Sequence, residues 1–302
     1  MITLVISGGD SFTFGSELSD TRGELSPSRS CWANLIANKL GAKHCNTGRG
    51  ARGNSFITRH VIYKVNQALR LGYKPEEIFV QVMLTYVDRS EIAVNFDTKL
   101  PFDSPWYYLF PGAAEDESKS QWVLEQIKKA AFKFANGETD ADRFANLLHG
   151  EYNLRKEQGI TDFVKHYYTI ISNLNDLYIS LKSILLLQNF LENRNIKYMY
   201  AYVSFHVLDR LTQSFRNADK FLNSLRDNIK FDDWYKFPDS VKTVEEHYDR
   251  NNERYDEIII SENGFNDWAR ANKYEYGLSH PMEQAHEDAA ELIYERVKEI
   301  VK

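Results

Sequence analysis

A chain of 302 residues, 43% of them apolar, carries a formal net charge of −6. That is enough apolar material for a sizeable core, in one large domain or two ordinary ones. Lys and Arg are dispersed, which argues against a nucleic-acid partner, and there is no acidic tail. The two cysteines, Cys31 and Cys45, form neither a disulfide framework nor a metal-ligand spacing, so both read as reduced core thiols and no metal or cofactor is expected. The start, MITLVISGGDSF, lacks a basic leader region. No apolar run reaches the roughly 18 to 20 residues of a membrane span. The expectation is a soluble, cytoplasmic protein rich in aromatics, with 18 Tyr, 18 Phe and 5 Trp.

In chain order, Ile2 to Ile6 reads as a short buried strand that runs into a tight turn at Gly8, Gly9, Asp10 and Ser11, closed by Gly15. A helix follows with Trp32, Leu35, Ile36 and Leu40 on one face, then a strand from Lys43 to Asn46 and a second Gly-rich turn, NTGRGARGNS. Ile57, Val61, Val65 and Leu69 recur every four residues, as in an amphipathic helix. Ile78 to Leu84 is a third buried strand. This strand–helix alternation predicts an α/β fold, a parallel sheet with helices on both faces.

The pattern breaks from about 92 to 160, a stretch too long for a simple connection. It reads as a mostly helical insertion or lid within a single domain spanning 1–302. Its Trp106, Tyr107, Tyr108 and Phe110 either wall a pocket or form an aromatic mini-core, and Trp122 to Phe134 looks amphipathic. From Thr161 to Leu191 an apolar seam predicts one long crossover helix of roughly 30 residues. A fourth strand, Lys197 to Val203, comes next, then helical stretches over about 207 to 228 and a fifth strand, Glu257 to Ser261. The last helix is expected to start at His280-Pro281, with Pro281 in its first turn.

A Gly-flanked serine at the carboxyl end of a strand lies where open α/β sheets bind ligands. Serine needs a base to take its proton. Among the eight histidines, His280 is best placed, in a loop before a helix on the same edge. His60 and His206 are weaker candidates, and His286 reads as a packed or surface residue. An oxyanion needs hydrogen-bond donors, which the Ser11 N–H, the Gly-rich turn Gly48 to Asn54 and Thr85 could supply. Asp10 reads as a brace for the turn. Arg89 reads as the partner of Glu91, or as a contact for an anionic substrate group. Asp10, Arg89, Trp106 and Tyr107 complete the candidate substrate-binding set.

Taken together, four blocks resemble the SGNH/GDSL hydrolase superfamily, and within it the phage-type members. GDSFTFG (9–15) is similar to the nucleophile block and NTGRGARGNSFITR (46–59) to the second block, with Asn46, Asn54, Ile57 and Arg59 at matching positions. LTYVDRSE (84–91) resembles the phage-type Trp-Thr-x-x-x-Arg-x-Glu segment, with Leu84 in place of Trp. FNDWARANKYEYGLSHPMEQAHEDAAELI (265–293) resembles the last block.

The resemblance implies a three-layer α/β/α, flavodoxin-like fold with a five-stranded parallel sheet. It also implies an esterase acting through an acyl-enzyme on Ser11, with His280 as base and a small-molecule or glycan ester, such as an O-acetyl group, as substrate. Two positions depart from the pattern. The oxyanion Asn of the third block is absent, which leaves Thr85 or Asn54 for that role. Gly277 stands where the family has Asp three residues before the histidine. Glu275, Asp267 or a backbone carbonyl is then expected behind the imidazole, or a Ser-His dyad without an acid. An acyltransferase with the same pair, or a binding module on a degraded scaffold (a virion component, for example), are the alternatives.

Overall fold

The computed structural model describes residues 1–21, 26–94, 106–109, 158–212, 220–238, 242–248, 254–260 and 264–302. Eight strands and nine helices are named among these residues. The strands are β1 (Leu4–Gly8), β2 (Lys43–Asn46), β3 (Ile78–Leu84), β4 (Ser90–Ala93), β5 (Trp106–Leu109), β6 (Lys197–Tyr202), β7 (Lys242–Tyr248) and β8 (Arg254–Ile260). The helices are α1 (Ser11–Phe14), α2 (Trp32–Lys39), α3 (Asn54–Arg70), α4 (Ile160–Ile170), α5 (Asn173–Glu192), α6 (Phe205–Thr212), α7 (Lys220–Arg226), α8 (Phe265–Ala271) and α9 (Glu283–Val301).

The central sheet has four parallel strands in the order β2-β1-β3-β6. All five residues of β1 and all seven of β3 are buried, as expected when helices cover both faces. Because successive side chains point to opposite faces, the sheet feeds two cores. Leu4, Ile6, Val80, Val82 and Tyr200 pack with α3 and α5. Val5, Phe79, Met83, Met199 and Val203 pack with α2, α8 and α9. Three layers result, and the carboxyl ends of all four strands share one edge.

Three expectations are corrected. The predicted fifth parallel strand at Glu257 to Ser261 instead falls, as far as Ile260, in β8, which pairs antiparallel with β7 in a separate two-stranded ribbon. The apolar run EIII does form a strand, but a run of that kind carries no information about its partner. The single long helix divides into α4 and α5, bent by 94°. Ile171 (ψ 128°) and Ser172 (ψ 154°) are extended, which interrupts the helical path. The last helix begins at Glu283, so Pro281 lies before it, and Pro281 instead makes a β-bridge with Tyr276.

Of the expected insertion, β5 is described. It pairs antiparallel with β4, Ser90 facing Leu109 and Ala93 facing Trp106. Phe110 and the segment Trp122 to Phe134 lie outside the described residues. No single described helix is long and apolar enough to cross a membrane.

Gly8 ends β1 against α3. A Cβ there would sit 2.5 Å from Val61 Cγ2 and 3.0 Å from Ile57 Cγ2. Gly8→Ala is expected to destabilise the fold by about 1–3 kcal/mol through overpacking. Urea denaturation should show a lower midpoint with an unchanged slope. An unchanged midpoint would mean that α3 shifts freely, contrary to its burial against the sheet.

Candidate active site

At the end of β1 the chain turns through Gly8 and Gly9 into the one-turn helix α1. Asp10 caps that helix, its Oδ1 accepting from the Phe12 N–H at 3.1 Å. Ser11 is the first helical residue and is 7% exposed. Its N–H donates to no described residue. Gly15 stops the helix at φ 80°, a left-handed conformation that glycine adopts without steric cost. Two residues on, Glu17 also has positive φ, at 72°. That is uncommon for a residue with a long side chain, and such positions persist only where surrounding contacts hold them.

The contacts that hold Glu17 come from the far end of the sequence. Residues 277–280 form a tight turn between α8 and α9, closed by the Gly277 N–H donating to the His280 carbonyl at 2.9 Å. Glu17 Oε2 accepts from the backbone N–H groups of Leu278 (2.6 Å), Ser279 (3.1 Å) and His280 (3.3 Å). Glu17 Oε1 accepts from Ser279 Oγ at 2.9 Å and lies 2.8 Å from His280 Nδ1. The other ring nitrogen, Nε2, lies 2.7 Å from Ser11 Oγ. Phe12 meets the imidazole edge to face at a centroid distance of 4.8 Å.

The side chains of Glu17 and His280 are each 14% exposed. Burial alone would raise the carboxyl pKa of Glu17, but the hydrogen bond and charge of His280, with the bonds from Ser279, outweigh it and lower the value to about 2. Glu17 is therefore a carboxylate at any ordinary pH.

The remaining candidates form a brace beneath the serine. Asp10, fully buried, accepts from Thr85 Oγ1 at 2.6 Å and from Arg89 at 2.9 Å, both at Oδ2. Asn54, also fully buried, donates to the Thr85 carbonyl at 2.9 Å and to Ser180 Oγ at 3.3 Å, and accepts from the Thr85 N–H at 3.0 Å. The side-chain donors of Thr85 and Asn54, expected as oxyanion donors, are thus committed to holding segments together. Arg89 pairs with Asp10 and not, as expected, with Glu91. Glu91 instead takes a two-pronged bond from Arg59, at 2.6 and 3.2 Å.

The Gly-rich turn packs directly on the serine turn, its Arg49 N–H donating to the Gly9 carbonyl at 3.3 Å. Ala51 in this turn has φ 58°. Gly50 takes a long bond, 3.4 Å, from Arg52 at its carbonyl. In β5, the Trp106 ring stacks beneath Arg59 at 4.4 Å and the Tyr108 ring beneath Arg52 at 3.7 Å. Tyr107 lies between them in the strand, paired with Ile92 of β4.

Two expectations for the position behind His280 give way to this geometry. The Glu275 side chain is exposed, and its backbone carbonyl accepts from the Met282 N–H at 2.9 Å. Asp267 caps α8 and accepts from the Phe205 N–H at 2.6 Å. Glu17 went unnoticed in the sequence. The signal that could have drawn attention to it is an acid two residues after the glycine that closes the serine turn.

Of the other histidines, His286 is fully buried, with its Nδ1 accepting from the Trp32 N–H at 3.2 Å. His60 stacks on Phe56 at 3.8 Å, and His206 lies against Phe205 at 3.9 Å. No group of three or more His, Cys, Asp or Glu side chains among the described residues could hold a metal ion.

The lowered pKa of Glu17 has a stability consequence. A carboxyl whose folded value is depressed contributes stability above its unfolded value, and that contribution is lost as pH falls toward the folded value. The relevant window runs from about 4.5 down to about 2. In thermal melts, Glu17→Gln should therefore weaken the acid-dependent fall of Tm in this window relative to wild type. Parallel Tm–pH curves for the two proteins would refute the buried-carboxylate description.

No family model and no curated protein matches the chain. Among solved structures, an acetyl xylan esterase from the rumen bacterium Butyrivibrio proteoclasticus aligns with 99% of this chain at 13% identity and a TM-score of 0.43, and the chain spans 63% of that protein's length. A member of the lipolytic G-D-S-L family from Veillonella parvula aligns with 74% of this chain and 93% of its own, at 13% identity and a TM-score of 0.21.

Proposed function

We propose that the chain is a serine ester hydrolase of the SGNH/GDSL type, with Ser11 as nucleophile and His280 as base. The observation that carries this reading is the 2.7 Å approach of His280 Nε2 to Ser11 Oγ at the carboxyl edge of a parallel sheet. Two residues 269 apart in sequence meet there at hydrogen-bond distance, each on a turn whose backbone is pinned. Nucleophile and base within reach, with a further group behind the base, is the general signature of an activated serine.

The chemistry follows from the atoms in place. Ser11 Oγ attacks the ester carbonyl carbon as its proton passes to His280 Nε2. The carbonyl π electrons move onto the oxygen. In this reading the Ser11 N–H serves the oxyanion, with the turn at Gly50 and Ala51 as a second source of backbone donors. Collapse of the intermediate breaks the C–O bond to the leaving alkoxide, which takes the proton from Nε2. Water, deprotonated by the same nitrogen, then attacks the acyl carbon, the bond to Ser11 Oγ breaks, and Nε2 returns its proton to Oγ as the carboxylic acid leaves. Thr85 and Asn54 enter through the brace that holds the serine turn.

Removal of a small acyl group from a glycan or small molecule suits a serine that is 7% exposed, because a short acyl chain needs little room beside it. The phage-type affinity rests on the Thr85, Arg89, Glu91 pattern, whose members also interlock through Asp10 and Arg59.

Ser11→Ala and His280→Ala should each lower kcat for p-nitrophenyl acetate by about 10⁴-fold or more while leaving the thermal melt near that of wild type. A fluorophosphonate probe should label wild type at Ser11. Equal hydrolysis by wild type and Ser11→Ala would remove the esterase reading and leave a binding module on this scaffold.

A further inference from the structure

We infer that Glu17 is the carboxylate that orients and charges the catalytic imidazole, and that Gly277 is a glycine because Glu17 occupies the space its side chain would need. The inference rests on the Ser11–His280 reading. Two independent observations carry it. First, Glu17 Oε1 lies 2.8 Å from His280 Nδ1, the ring nitrogen facing away from Ser11. Second, a Cβ built on Gly277 would overlap Glu17 Oε2, and the three atoms nearest to that Cβ all belong to Glu17. The position three residues before the histidine and the loop after the nucleophile thus compete for one volume beside the ring, and in this chain the loop holds it.

The electrostatics follow from the bonds. With Nδ1–H donating to Glu17, the imidazole is held in the tautomer that leaves Nε2 free to take the serine proton. When Nε2 is protonated during attack, the positive ring lies against a carboxylate. Three backbone N–H groups and the Ser279 hydroxyl keep that carboxylate ionised and in place. Because Glu17 acts through His280, it is a positioning residue. On α9, the helix that follows this turn, His286 is buried and neutral with its pKa lowered to about 3 by burial, and Glu283 accepts from the Ser19 N–H at 2.7 Å. Neither touches Nδ1.

The test relocates the carboxylate. Glu17→Gln keeps the shape of the side chain but offers an N–H where the ring needs an acceptor. It should lower kcat for p-nitrophenyl acetate by at least about 100-fold, with KM within about twofold. The acidic limb of the kcat/KM profile should move to lower pH, a shift that a merely structural role would not produce. The corresponding loss in a serine protease, a worked case for this type of triad, is about 10⁴.

Glu17→Gly vacates the space and also suits the positive φ at that position. Adding Gly277→Asp in the Glu17→Gly background should restore kcat at least about tenfold over Glu17→Gly alone. The single variant Gly277→Asp should be slow, because its side chain collides with Glu17. Circular-dichroism melts show that each variant is folded.

Retention of kcat within about threefold by Glu17→Gln would overturn the inference, as would a double variant no faster than Glu17→Gly. Failure of the underlying reading looks different. In that case wild type itself would neither hydrolyse the ester nor take a fluorophosphonate at Ser11.

Discussion

The buried carboxylate of Asp10 is the contact on which the candidate site depends. It caps the single turn of helix that presents Ser11, and it receives Thr85 from the end of β3 and Arg89 from the loop beyond. A buried charge is tolerated only when it is paired and its lone pairs are occupied, and Asp10 meets both conditions. Removing either partner would leave an uncompensated charge under Ser11. The same knot fixes the Gly-rich turn, since Asn54 grips the Thr85 backbone in both directions and a Cβ at Gly53 would overlap the Arg89 carbonyl. Residues that look like separate motifs in the sequence are one hydrogen-bonded unit in the fold.

This arrangement changes what the polar residues near the serine are for. Thr85 reaches Asp10 and Asn54 grips Thr85, so their side chains are engaged in holding strands and turns together. On the proposed esterase reading, donors for a developing oxyanion are then left to the backbone. Backbone donors cost no side-chain ordering, and their aim is set by the turns that carry them. The rigidity of Asp10, Thr85, Arg89 and Asn54 sets the direction of an N–H several bonds away.

How much of this could be read in the sequence depended on how local each signal was. β1, its Gly-flanked serine, and the histidine before a helix are short-range patterns, and they were enough to place Ser11 and His280 on one sheet edge. The parallel strands through β6 followed from the alternation of apolar runs and helices. β8 was legible as a strand, but its antiparallel partner β7 was not, because period-two patterning does not choose a neighbour. The seam from Thr161 to Leu191 carried no clear break, and the bend at Ile171 and Ser172 came from two extended residues within a continuous apolar pattern. Glu17 was the least legible of all. Its position depends on a left-handed backbone and on three N–H groups from residues about 260 positions away, and no spacing rule encodes that.

The tight turn at 277–280 carries only one of the three side chains gathered at Ser11, and that has a bearing on how the site comes together in time. Serine and carboxylate lie within seven residues of one another and emerge from the ribosome together. The imidazole follows 263 residues after Glu17, on a turn whose N–H groups are the ones that hold Glu17 in place. Until that turn docks, the carboxylate lacks the contacts that justify its backbone conformation and Ser11 lacks its imidazole partner. On the proposed esterase reading, reactivity appears only when the two ends of the fold meet.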